Sequence, residues 1–283
     1  MKPSARFTIG RSLAALWRFN GLTVAHRVFR PVETSTILER RFFDHNLYLD
    51  VVRTDTHRLL YLEGARFIQE RYLIADLVRP GDTAIDVGAN IGYYTLMLSS
   101  LVGPTGQVLC FEPEPDNLSE LRRNVHLNKL ANVKVIEAAV GETNGQCHLT
   151  RGINGMVCEN GNSDLEVKIV ALDSVIDLRI DLLKIDVEGY EGHVLAGAER
   201  LIREHRPAMF VEVHPTLLTN RYTVSNILNF ASQFYEKIEL YDVEESGLIA
   251  KVASRYFGKP IIRSIKDTAD ALSRSGNFWM VCR

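Results

Sequence analysis

The chain has 283 residues, 46% of them hydrophobic and 24% charged. That composition supports one large domain, or one domain with an extension. The formal net charge of −2 offers no global basicity to hold nucleic acid, so a small-molecule or glycan substrate is expected and no nucleic-acid partner.

Residues 1–32 stand apart. They carry Lys2, Arg6, Arg11, Arg18, Arg27 and Arg30 with no acid before Glu33. Ile9, Leu13, Leu16, Trp17 and Phe19 can form one apolar side of a short helix. The segment suits a helix packed on or solvated beside the domain, a helix on a membrane surface, or an Arg-rich transit peptide. No apolar run reaches the roughly 18–20 residues that cross a bilayer. A cytoplasmic protein is expected, with residues 1–32 as its point of contact with the inner membrane surface. "NLYLDVV" and "HRLLYLEG" read as a hairpin, and the N-terminal unit is expected to end near residue 63, as a substrate cap or tether.

From residue 64 to the C-terminus helix and strand patterns alternate. "GARFIQERYLIADLVRPG" has helical spacing and stops at Pro80-Gly81. "TAIDVG" is a strand, and "YYTLMLSSLVG" a helix closed by Gly103. "GQVLCFEP" is a strand, and "DNLSELRRNVHLN" a helix capped by Asp116 or Asn117. "NVKVIEAAV" is one strand, and residues 141–166 form a Gly- and Asn-rich loop or hairpin insertion. "LEVKIVALDSVI" and "DLLKID" hold strands, "EGHVLAGAERLIREH" one helix, and "PAMFVEVH" a strand. "SNILNFASQF" is helical, "KIELYDV" a strand, residues 242–276 an irregular excursion, and "NFWMVCR" a last strand. Such alternation predicts an α/β fold with a doubly wound, mostly parallel sheet. Cys110, Cys147, Cys158 and Cys282 are scattered without a CxxC pair, so reduced thiols are expected and a structural zinc site is not.

"DTAIDVGANIGYYTL" is a strand, a tight turn and a helix. Gly88 and Gly92 allow close backbone approach, and Asn90 tolerates a left-handed conformation. Asp86 ends the strand at the sheet's carboxyl edge, where ligands bind in such folds. A nicotinamide fingerprint needs glycines at 90 and 93, where Asn90 and Tyr93 stand. An acid two residues before the first glycine, followed by GxxxG, fits an S-adenosylmethionine turn better. Glu112 follows Gly92 by twenty residues and closes the next strand, where a ribose diol would be held.

"LLKIDVEGYE", residues 182–191, begins as an apolar strand and runs into Asp186, Glu188 and Glu191. Acids this close require a compensating cation. A sulfonium cofactor facing Asp86 and Asp186 supplies one, and Lys184 offsets another part. "FVEVH" places Glu212 and His214 on one face of a strand. His214 suits a general base for a hydroxyl, oriented by Glu188 or Glu212. The alternative is a divalent metal, Mg²⁺ or Mn²⁺, on Asp186, Glu188, Glu212 and His214. Glu191 opens the following helix and there complements its dipole.

The blocks "IDVGANIGYYTL", "FEPEPDN", "LRRNVHLN", "VALDSVI", "LLKIDVEGYEGHVLAGAERLI" and "PAMFVEVH" resemble the FkbM family of S-adenosylmethionine-dependent methyltransferases. The resemblance covers about residues 82–215. It implies a class I methyltransferase fold of seven strands with an antiparallel last strand. It also implies cofactor contacts at Asp86, Gly88, Asn90, Gly92, Glu112, Asn117, Ala138 and Asp186. The implied activity is methyl transfer to a hydroxyl of a sugar, glycan or secondary metabolite; His214, Glu188 and Glu212, read above from their positions, are the expected catalytic residues. N-methylation of a protein or nucleic acid is a second reading, opposed by "DVEGY" where Asn/Asp-Pro-Pro-aromatic would stand. A nicotinamide-dependent oxidoreductase is a third.

Overall fold

The computed structural model describes residues 37–54, 57, 60–61, 68–150, 157–158, 165–219, 221–242, 264–265 and 268–283. The basic segment 1–32 lies outside them. Two compact units are distinguished: residues 1–72 with 245–261, and residues 73–244 with 262–283.

In the first unit, β1 (Ile37–Phe42) pairs antiparallel with β2 (His45–Asp50). The hairpin therefore forms one strand earlier than the sequence reading placed it. Phe42 pairs with His45 across a two-residue turn in which Phe43 takes a left-handed φ of 51°. A local turn closes more readily than the longer connection to "HRLLYLEG", and His57, Leu60 and Tyr61 are helical instead.

The unit boundary falls inside α1 (Ile68–Ala75), later than residue 63. The second unit follows with β3 (Thr83–Val87), α2 (Tyr93–Val102), β4 (Gln107–Phe111), α3 (Pro115–Leu127) and β5 (Val133–Ile136). Next come β6 (Ala139–Val140), β7 (Gly145–Leu149), β8 (Val157–Cys158), β9 (Leu165–Val170) and the short α4 (Leu172–Val175). The chain continues through β10 (Leu182–Ile185), α5 (Glu191–Ala196), α6 (Glu199–His205) and β11 (Ala208–Val213). It ends with α7 (Val224–Ser232), β12 (Ile238–Asp242), α8 (Thr268–Ser273) and β13 (Phe278–Cys282).

Seven strands form one sheet in the order β12-β13-β11-β10-β3-β4-β5. β13 runs antiparallel to both neighbours, and the other pairings are parallel. This is the expected α/β arrangement. The strands are buried on both faces because successive side chains meet different layers. On β4, Leu109 and Phe111 join the main core while Cys110 packs with Ala89, Leu118 and Leu121 beneath α3.

A second sheet, β6-β9-β7-β8, takes β7 and β8 from the region read as an insertion and joins them to the expected strand β9 and to β6. "NVKVIEAAV" is consequently two strands in two sheets, broken at Glu137-Ala138. The helix read over "EGHVLAGAERLIREH" is also two. A Cβ on Gly197 would sit 1.9 Å from the Gly141 carbonyl, so the chain bends where the small sheet presses closest. The cap of α3 is Glu114, not Asp116 or Asn117. Its side chain accepts the Asn117 N–H, with Pro115 preset in the first turn. Among the described residues, no helix is long and apolar enough to cross a membrane.

Candidate active site

The carboxyl ends of β3, β4 and β10 open onto a solvent-accessible cavity. Phe111, Ala138, Val140, Leu149 and Val157 give it apolar wall, and Asp186 and Glu188 add two carboxylates. Glu112 and Asn117 line it as well. Of the residues named from sequence, Gly88, Asn90, Glu112, Asn117, Ala138, Asp186 and Glu188 border this space. Asp86, Gly92, Glu212 and His214 do not.

Glu112 is held rigidly. One carboxylate oxygen accepts the Asn90 N–H at 2.7 Å and the other the Glu114 N–H at 2.9 Å. Burial pushes its carboxyl up to about 7, against the pull of those two N–H groups and of Asn117. Asn90 reaches its position through a left-handed φ of 51°. Gly88 is required by contact rather than by the cavity. Its φ is +76°, and an added Cβ would lie 1.8 Å from the Asp186 carbonyl oxygen. Gly92 is pressed against Leu121, with a Cβ position 2.8 Å from that side chain.

Asp86 stands off the cavity and is fully buried. The strand register sets Asp86 beside Lys184. The Lys184 ammonium, also fully buried, lies 2.9 Å from Asp86 Oδ1 and 3.8 Å from Asp186 Oδ2. It donates to the Gly88 carbonyl and lies over the Tyr94 ring. Thr95 donates to the other Asp86 oxygen at 2.7 Å. Burial alone would lower the Lys184 pKa, but Asp86, then Asp186, outweigh it and hold it above its ordinary value. The protein thus supplies the cation for Asp86 itself.

The remaining acids converge on His214. Its Nδ1 lies 2.6 Å from Glu191 Oε1, which also accepts the Gly189 N–H. Its Nε2 lies 3.4 Å from Glu188, 3.5 Å from Glu212 and 3.9 Å from Asp186. Burial pulls the imidazole down, but the Glu191 bond and charge, followed by Asp186 and Glu212, raise it to about 9. This surrounding favours the protonated ring of His214. Burial pushes Glu188 and Glu212 up, and Asp186 adds to both shifts. Asn277 donates to Glu212 at 3.2 Å.

The partner that orients the ring is Glu191, where the sequence reading looked to Glu188 or Glu212. Glu191 is fully buried, and its Oε2 has no hydrogen-bond partner among the described residues. The turn that brings it inward has two left-handed residues in succession, Glu188 at 51° and Gly189 at 98°. Gly189 is pressed so closely on the Leu217 carbonyl that a Cβ would lie 2.2 Å away. That glycine was the available signal. Lys184, a lone cation within an apolar strand opposite an acid, was the signal for the buried pair.

Residues 86–236 match the family model described as "Methyltransferase FkbM domain". The chain is 31% identical over 176 residues to "31-O-demethyl-FK506 methyltransferase FkbM" of Streptomyces tacrolimicus, covering 48% of this chain and 67% of that one. It is 26% identical over 161 residues to "2-O-methyltransferase NoeI" of Sinorhizobium fredii, covering 48% and 65%. This chain thus spans about two thirds of those relatives' lengths. The crystal structure of an FkbM methyltransferase from Methylobacillus flagellatus is similar at 17% identity and a TM-score of 0.46, covering 81% of this chain and 55% of that one.

Proposed function

This chain belongs to the methyltransferase FkbM domain family, and from that premise we propose that it uses S-adenosylmethionine to methylate a hydroxyl of a sugar, glycan or secondary metabolite. The observation that carries the cofactor is the mixed lining of one cavity. Its apolar residues suit an adenine, and buried Glu112 suits a ribose diol. Asp186 and Glu188 suit a cationic amino-acid group. The residues fit the group, which supplies when bound an electrophilic methyl carried on a sulfonium. The names of both relatives place methyl groups on oxygen, which supports a hydroxyl acceptor.

A hydroxyl must lose its proton as the new bond forms. His214 adjoins the cavity through its contacts with Asp186 and Glu188, which line it. Glu191 fixes its ring and leaves Nε2 facing those carboxylates. His214 takes up a proton only after releasing its own. Its hold on that proton comes from Asp186, Glu191 and Glu212, so any cation entering among them weakens it.

Calorimetric titration with S-adenosylhomocysteine, beside NADH, tests the cofactor. Binding of the former alone, weakened by Glu112→Ala, is the expected outcome. Preference for NADH would overturn the reading.

A further inference from the structure

The acids around His214 are arranged for more than one imidazole. Asp186, Glu212 and His214 each offer a ligand atom, and the three lie within 4.8 Å of one another. The Nε2 contacts, at 3.4–3.9 Å, are too long for good hydrogen bonds. They are of the order expected between neighbouring or opposed ligands around one ion.

A second observation comes from the far side of the ring. Nδ1 is bound at 2.6 Å by Glu191, itself anchored by the Gly189 N–H. Metal-ligating histidines are held this way: the outer nitrogen donates to a carboxylate, which fixes the tautomer with the other lone pair toward the ion. The charge balance points the same way. Asp186, Glu188, Glu191 and Glu212 face a single imidazole. Lys184 touches only Asp186 among them, at 3.8 Å, and lies closer to Asp86. A group of this charge in a half-buried site calls for a divalent partner.

We propose that Asp186, Glu212 and His214 bind a divalent cation of the Mg²⁺ or Mn²⁺ class, with Glu188 at its edge and Glu191 as the residue positioning His214. Two carboxylates with one imidazole suit these hard ions, and no thiolate is among the donors. Three protein ligands leave coordination positions for water and for an acceptor oxygen. A hydroxyl on the ion loses its proton more readily, so the ion takes the place of His214 as the acidifying group, because an imidazole that ligates through Nε2 cannot accept a proton there. This use of the ion rests on the methyl-transfer reading; the site itself does not.

The test is titration of the chelator-treated full chain with Mn²⁺ alone, read by loss of the free-ion electron paramagnetic resonance signal. Saturation at one ion per chain, with competition by Mg²⁺, is expected. Glu212→Gln and His214→Gln should each weaken binding roughly 10–100-fold, while Glu137→Gln, on the exposed surface, should not. Thermal melting of each variant checks that it is folded. Absence of binding by the wild type at millimolar ion would overturn the proposal, as would equal binding by folded Glu212→Gln. Neither result touches the homocysteine titration above, so the two readings fail separately.

Discussion

A fully buried ammonium and a fully buried carboxylate, Lys184 and Asp86, lie at the centre of the sheet. Their value to the fold lies in being together. Lys184→Met should therefore destabilise the protein by about 3–5 kcal/mol in chemical denaturation, because Asp86 would keep its burial and lose its counter-ion. A second change, Asp86→Asn, should recover part of that loss. His214 gives a pH signature. Its folded pKa, about 9, lies above the ordinary 6.5. The stability it contributes is complete below 6.5 and is lost as pH rises through 9. The stability gap between wild type and His214→Gln should thus shrink by on the order of 2–3 kcal/mol across that window, measured by urea unfolding at each pH. The sequence made both residues visible as charges near a strand end. It left Glu191 a helix-dipole acid, because spacing cannot say which of three neighbouring carboxylates turns inward. The left-handed pair Glu188-Gly189 decides that, and a non-glycine left-handed residue leaves little trace in a sequence.

At the scale of elements, the turns carry the site. Gly88→Ala should be severe, since the new Cβ meets the Asp186 carbonyl at 1.8 Å and φ is +76°. We expect both a lowered melting temperature and loss of S-adenosylhomocysteine binding. A variant with normal melting and normal binding would show that the two strand ends are free to part. Strands, helices and their order were legible from apolar runs and from Gly and Pro stops. The breaks were not. β5 and β6 are divided at Glu137-Ala138, where the chain passes to another sheet and Ala138 becomes cavity wall. The pattern there stays apolar throughout, since both halves are covered. α5 and α6 part at Gly197 for the sake of a contact with Gly141, distant in sequence. Such divisions are set by tertiary neighbours, which local periodicity does not see.

At the scale of the whole molecule, the small second sheet completes the cavity. Leu149 of β7 and Val157 of β8 line it, although the sequence there suggested only a loop or hairpin insertion. Leu149→Ala should weaken S-adenosylhomocysteine binding by up to roughly tenfold, the loss expected for a few buried methylene contacts. Titration calorimetry reads this directly, and an unchanged affinity would place the small sheet outside the cofactor's reach. The main sheet has a further consequence. β3 and β10 are neighbours in space, yet Thr83 N–H meets Asp181 across 98 positions of chain. Lys184 and Asp86 meet across the same long loop. A growing chain therefore holds β3, its glycine turn and Glu112 long before the other half of the site has been synthesised. Closing so wide a loop is entropically costly and slow. The acid cluster and the cavity exist only once β3 and β10 are paired, so a cofactor that binds there stabilises the folded chain and not its unfolded precursor.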